Sequence, residues 1–165
     1  MMDKWLIVIN YLAQKVDDLY QTKLYKLLFY IDFFHYRKIE KSITWSFYYK
    51  LPLWPVPLEI KSIIDCMNDA EREDKSIDKD ISSYKEYLDI IEKDGNKKMI
   101  KSIKQIDILK HLTDSEIESV DFIIERLWNK KSNDIVEISH KEPIYINADM
   151  FEPLLYGYAN TLLAV

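Results

Sequence analysis

Residues 22–36, TKLYKLLFYIDFFHY, constrain this chain more than any other stretch. Spacings of three and four put Leu24, Leu27, Leu28 and Ile31 on one face of a helix, while Tyr25, Phe29, Phe33 and Tyr36 form a second stripe further round it. A helix apolar on two faces is either the centre of a core, or core on one side and interface on the other.

The rest of the chain has the material for such a core. With 165 residues, 48% hydrophobic and 13% aromatic, residues 1–165 are expected to form one compact domain, mainly α with a small β element. Only two glycines and five prolines occur, which excludes a low-complexity or fibrous chain. No stretch approaches the roughly 18 uninterrupted apolar residues of a membrane span, and the first residues lack a basic start and a cleavage site. The expected location is the cytoplasm. The lone Cys66 cannot close an internal disulfide and is expected to fill the core. A net charge of -5 argues against direct nucleic-acid binding, which depends on Lys and Arg neutralising phosphates.

Around the central helix, Trp5, Leu6, Ile9, Leu12, Ala13 and Val16 mark an amphipathic helix over Asp3 to Val16. The aromatic run Ser46 to Leu51 reads as a strand, and Pro52, Pro55 and Pro57 force an extended or turning path after it. A helix over about Leu58 to Glu71 should point Leu58, Ile60, Ile63, Ile64 and Met67 inward and end in a surface loop, EREDKSIDKD. Asp94-Gly95-Asn96 favours a hairpin between Tyr84 and Ile106, although Ile81, Tyr84, Leu88 and Ile91 also fit a helix. Thr113 with Glu116 is a capping box, and Ile117, Val120, Ile124 and Leu127 continue the helix as a core stripe. Ser132 is expected to cap a short helix to about His140, Pro143 to stop it, and Leu162 and Leu163 to pack.

Little here suggests catalysis. Asp32 lies one helical turn before His35, as in acid–base sites, but His35 projects onto the Leu24 and Ile31 stripe, which favours a buried structural histidine. His140 with Glu142 has no second histidine nearby to complete a metal site. Glycine-rich phosphate loops and nucleophile elbows are absent, so neither metal nor cofactor is expected and the chain reads as a non-enzyme. Lys97, Lys98, Lys101 and Lys104 make a lysine run that reads as a solvated face. The unusual feature is the aromatic surplus, with Trp45, Phe47, Tyr48, Tyr49 and Trp54 following the helix stripe. Such rings supply much of the energy of protein interfaces, though core packing accounts for a share of them.

Residues 22–57, TKLYKLLFYIDFFHYRKIEKSITWSFYYKLPLWPVP, resemble the signature of the Panacea domain, the SocA-like antitoxin family of bacterial toxin–antitoxin modules. That signature is a K-L-x-K-L-L-x-Y-x-D-F helix, a stretch leading to S-I-T-G, an aromatic strand and a G-P-V-P turn. A second match, EISHKEPIYINA, is similar to the family's Leu-Ser-His region, with His140 at the histidine and Tyr145 at an aromatic position. Trp45 stands at the family glycine after S-I-T, and Trp54 replaces the glycine of G-P-V-P, exchanging two flexible positions for large rings. The resemblance implies a mostly α domain that neutralises a co-encoded toxin by direct contact. The alternatives are delivery of the toxin or another client to a protease, as some members look able to do, or a phage-encoded interaction protein. Stripe and motif together nominate Tyr25, Phe29, Phe33, Tyr36, Tyr48, Lys50, Trp54, Pro55 and His140 as partner-binding residues.

Overall fold

The computed structural model describes residues 1–68 and 79–165. In chain order it contains α1 (Lys4–Lys15), α2 (Gln21–Ile39), β1 (Tyr48–Lys50), β2 (Pro55–Pro57), α3 (Leu58–Asn68), α4 (Lys79–Tyr84), β3 (Leu88–Lys93), β4 (Lys97–Ser102), α5 (Asp114–Leu127), α6 (Ser132–His140), α7 (Pro143–Asn147) and β5 (Pro153–Leu154). Short 3-10 turns cover Ile108–Lys110 and Tyr156–Thr161. The fold is mainly α with a small β element. Among the described residues no helix is long and apolar enough to cross a membrane.

The doubly apolar helix is the centre. From Lys23 to Phe33 every residue of α2 is buried, because α5, α6, β2, β4 and the turn Tyr156–Thr161 all pack on it. It ends at Glu40, whose left-handed backbone (φ 57) turns its N–H back to the Tyr36 carbonyl. Trp5, Leu6, Ile9, Leu12 and Val16 of the first helical segment enter the same core, which runs without interruption to Leu162.

β1 pairs antiparallel with β2 on one side and β5 on the other, so a strand from near residue 50 is flanked by one from beyond residue 150. The aromatic run forms only three residues of strand, Tyr48–Lys50, rather than the full stretch to Leu51. β3 and β4 form the expected hairpin, closed by Asp94-Gly95-Asn96, with Gly95 and Asn96 at φ 74 and φ 61. Residues 81 and 84 belong instead to α4.

The capping box at α5 is present: the Thr113 hydroxyl accepts from the Glu116 amide at 3.3 Å, and the Glu116 carboxylate accepts from the Thr113 amide at 2.9 Å. Several details differ from the expectation or add to it. Ser132 is the first helical residue of α6 rather than its cap, because Asp134 accepts from the Lys131 N–H at 3.3 Å and places the cap one residue earlier. Pro143 starts α7 as well as ending α6; its fixed φ and missing N–H suit a first helical position. Cys66 is exposed, because α3 buries Ile60, Ile64 and Met67 and turns Cys66 away from that stripe. Leu58, at the exposed first position of α3, and Leu163 also face solvent, whereas Leu162 packs. The end of the predicted α3 helix and most of EREDKSIDKD lie outside the described residues.

Candidate functional site

Asp32 and His35 share a helix without pairing. The His35 Nδ1 lies 2.9 Å from the Ser119 hydroxyl on α5, and burial lowers the affinity of the ring for a proton. Fully buried Asp32 looks the other way, accepting from the backbone N–H groups of Ile43 (2.8 Å) and Thr44 (2.9 Å), the Tyr48 hydroxyl (2.7 Å) and the Thr44 hydroxyl. Burial pushes its carboxyl above the ordinary range, opposed by these four bonds. The arrangement is a staple that folds the loop after α2, with no open face for substrate.

The staple also sets the backbone of the next residues. Trp45 is forced into the left-handed region at φ 60, the conformation that suits the glycine of the family signature. Its ring is 68% exposed and that of Phe47 is 69% exposed. Trp54, at the other family glycine, is not among the positive-φ residues. A left-handed non-glycine residue costs about 1–2 kcal/mol, less the entropy a glycine would lose on folding. Trp45→Gly is therefore expected to raise stability by about 0.5–1 kcal/mol, read as a higher urea midpoint; an unchanged or lower midpoint would show that the ring contributes packing the fold needs.

Of the residues nominated for partner binding, Tyr25, Phe29, Phe33, Tyr48 and Pro55 are buried and pack within this chain's own core. Phe33 stacks on Tyr156 at 4.4 Å, Phe29 lies 4.6 Å from Phe33, and Tyr48 meets both edge-on. The second stripe is covered by the chain's own sheet and its Tyr156–Thr161 turn. Tyr36 is half-buried and stacks on Tyr156 at 5.1 Å.

Lys50, Trp54 and His140 are half-buried, and the structure gathers them around one turn. Leu51 and Trp54 exchange backbone hydrogen bonds at 3.1 and 3.2 Å, so Pro52 and Leu53 form its tip. His140 Nε2 donates to the Leu53 carbonyl at 2.6 Å, its ring stacks 4.8 Å from Tyr145, and the Tyr145 hydroxyl donates to the Leu51 carbonyl at 2.6 Å. Lys50 lies 4.8 Å over the Tyr145 ring and donates to the Ala148 carbonyl at 2.9 Å. Glu142 does not join His140. It is buried and accepts from the Tyr30 hydroxyl (3.0 Å) and the N–H groups of Leu163 (2.7 Å) and Ala164 (3.0 Å).

The clamped turn forms one wall of a groove of about 830 Å³, whose other walls are the first turn of α2, Trp128 and the start of α6. Two lysines stand behind it. Lys23 is 6% exposed and donates to the Trp128 carbonyl; burial lowers its pKa, while Asp18 and Asp17 act against that. Lys26 is fully buried, its ammonium 4.4 Å from the Trp54 ring and 3.3 Å from the Thr22 carbonyl, and burial pulls its pKa down to about 7. Sequence reasoning missed Trp128, Lys130 and Lys131, which line the groove; the signal was WNKK at the end of the α5 stripe. From the lysine run, Lys97 and Lys98 also line it, Lys98 paired with Asp65 at 3.0 Å, whereas Lys104 lies over Tyr87.

The family described as Antitoxin SocA-like, Panacea domain, matches residues 24–145, a span from the central helix to the Tyr145 that clamps the Leu51–Trp54 turn. No curated protein and no solved structure gives a significant match. The signature residues thus have visible structural tasks, in the Asp32 staple, the Lys26–Trp54 contact and the His140 clamp. The chain belongs to the SocA-like antitoxin family defined by the Panacea domain.

Proposed function

We propose that the protein is an antitoxin that neutralises a toxin encoded beside it by direct binding, in the cytoplasm and without catalysis. The observation that carries this reading is the family match over residues 24–145. It is supported by where the polar signature groups point: Asp32 is consumed in holding a loop, His35 in an interhelical bond and His140 in a clamp. The partner face in this reading comprises Trp45, Phe47, Tyr36, Lys50, Trp54 and His140, none of them fully buried. Residues 1–165 act as one unit, in keeping with the continuous core.

Co-expression with the product of the adjacent gene tests the proposal. A toxic neighbour, growth rescue and a complex that survives purification are the expected results. A toxic neighbour that neither binds nor is relieved would overturn it. Toxin levels followed after synthesis is stopped separate masking, in which they hold steady, from delivery to a protease, in which they fall.

A further inference from the structure

Cations at the start of α2 stand where the helix itself favours anions. The amides of an unfilled first turn carry partial positive charge, and acidic groups are the usual complement. In α2 the first turn has no acidic residue and the N-cap Tyr20 supplies no side-chain acceptor. Lys23 and Lys26 instead bring two ammonium groups to this end, both buried, with hydrogen bonds only to carbonyls and no ion pair among the described residues. Such charges are costly to desolvate unless an opposite charge is near.

Three further observations lie on the same groove. Exposed Lys97, Lys130 and Lys131 rim it, a local excess of positive charge in a chain of net charge -5. α6 begins there as well, with Ser132 and Asn133 in the lining. Among the described residues the Nε1–H of Trp54 is buried without an acceptor, and Trp54 forms part of the wall. The opposing charges are Asp17 and Asp18 on the rim, and Asp65 beside Lys98. Leu53, Trp54, Trp128 and Val136 give the walls an apolar character that suits side chains between carboxylates.

We propose that this groove receives an acidic segment of the toxin, with carboxylates meeting Lys23, Lys97, Lys130 and Lys131 and apolar side chains lying on Trp54 and Trp128. The proposal rests on the antitoxin reading for the identity of the partner. A protein segment is favoured over nucleic acid because Asp17 and Asp18 would repel a continuous phosphate chain, and the overall charge opposes one.

The test uses the full chain carrying Lys97→Glu, Lys130→Glu and Lys131→Glu together. All three are exposed, so an unchanged melting curve is expected and checks that folding survives. A fluorescent peptide of alternating glutamate and leucine should bind the wild type saturably, weaken with salt, and lose at least about tenfold in affinity against the variant. The complex with the neighbouring gene product should weaken by a similar factor. Equal affinity of wild type and variant for both probes would overturn the groove assignment while leaving the antitoxin reading intact. Absence of any wild-type complex would count against the antitoxin reading alone, since the peptide result still decides the groove. Tighter binding of a short single-stranded RNA than of the peptide would overturn the choice of a protein ligand.

Discussion

Asp32→Ala is expected to cost about 4 kcal/mol or more and to leave the protein largely unfolded at physiological temperature. The substitution strips the acceptor from the buried N–H groups of Ile43 and Thr44 and from the hydroxyls of Thr44 and Tyr48. Each stranded donor costs about 1–3 kcal/mol, against a total stability of about 5–15 kcal/mol for a typical domain. Asp32→Asn should be milder, at about 1–2 kcal/mol. Its amide oxygen can still take the two backbone donors, and the Thr44 and Tyr48 hydroxyls can turn to accept from its NH₂ group. Urea unfolding of both variants checks the argument: equal losses for Ala and Asn would show that charge, not the number of acceptors, holds the loop. The same experiment bears on the proposed partner face, because the staple sets the backbone that carries the exposed Trp45 and Phe47.

Lys26→Met should do the opposite and stabilise the protein at neutral pH, by on the order of 3 kcal/mol. Lys26 has a pKa of about 7 in the folded state against 10.5 for an ordinary lysine. Below pH 7 both states are protonated, and the folded state bears the whole cost of a buried ammonium. Between pH 7 and 10.5 the unfolded chain holds a proton that the folded one has released, so stability rises with pH, by at most about 1.4 kcal/mol per unit. Methionine has a similar shape and no charge; it should raise the urea midpoint at pH 7 and flatten the rise towards pH 9. A wild-type midpoint that does not climb over this range would mean that the ammonium stays charged. Lys26 does not itself line the groove, so the variant should bind the acidic probe about as well as the wild type.

Local patterns in the sequence led correctly to much of the architecture. Three-and-four spacing marks the first two helices, Thr113 with Glu116 marks the start of α5, and Asp94-Gly95-Asn96 marks the hairpin. Each of these signals is contained within a single helix or turn. What covers the second stripe of α2 was not legible, because periodicity shows that a face is apolar without showing whether the cover is a partner or the chain itself. Phe33 is covered by Tyr156, and Tyr48 pairs with Leu154, contacts more than a hundred residues apart that no local pattern encodes. The motif residues were located, and a structural or interface role was favoured over catalysis for His140, but their contacts were not legible: the hydrogen bonds of Asp32 and His140 run to loops that no local pattern indicates. Lys23 and Lys26 were recognised as part of the signature helix, but their burial was not foreseen, since lysine is so seldom buried.

The late arrival of β5 also sets a timetable for synthesis. Until Leu154 and Tyr156 leave the ribosome, β1 lacks its outer neighbour and Phe33 and Tyr48 have no cover, however long α2 has been free to coil. Contacts of such wide sequence separation form slowly, and an interrupted chain exposes these rings to chaperones and proteases. Any partner that needs the finished domain would meet an unready surface before then, so translation rate sets when this fold becomes competent to bind.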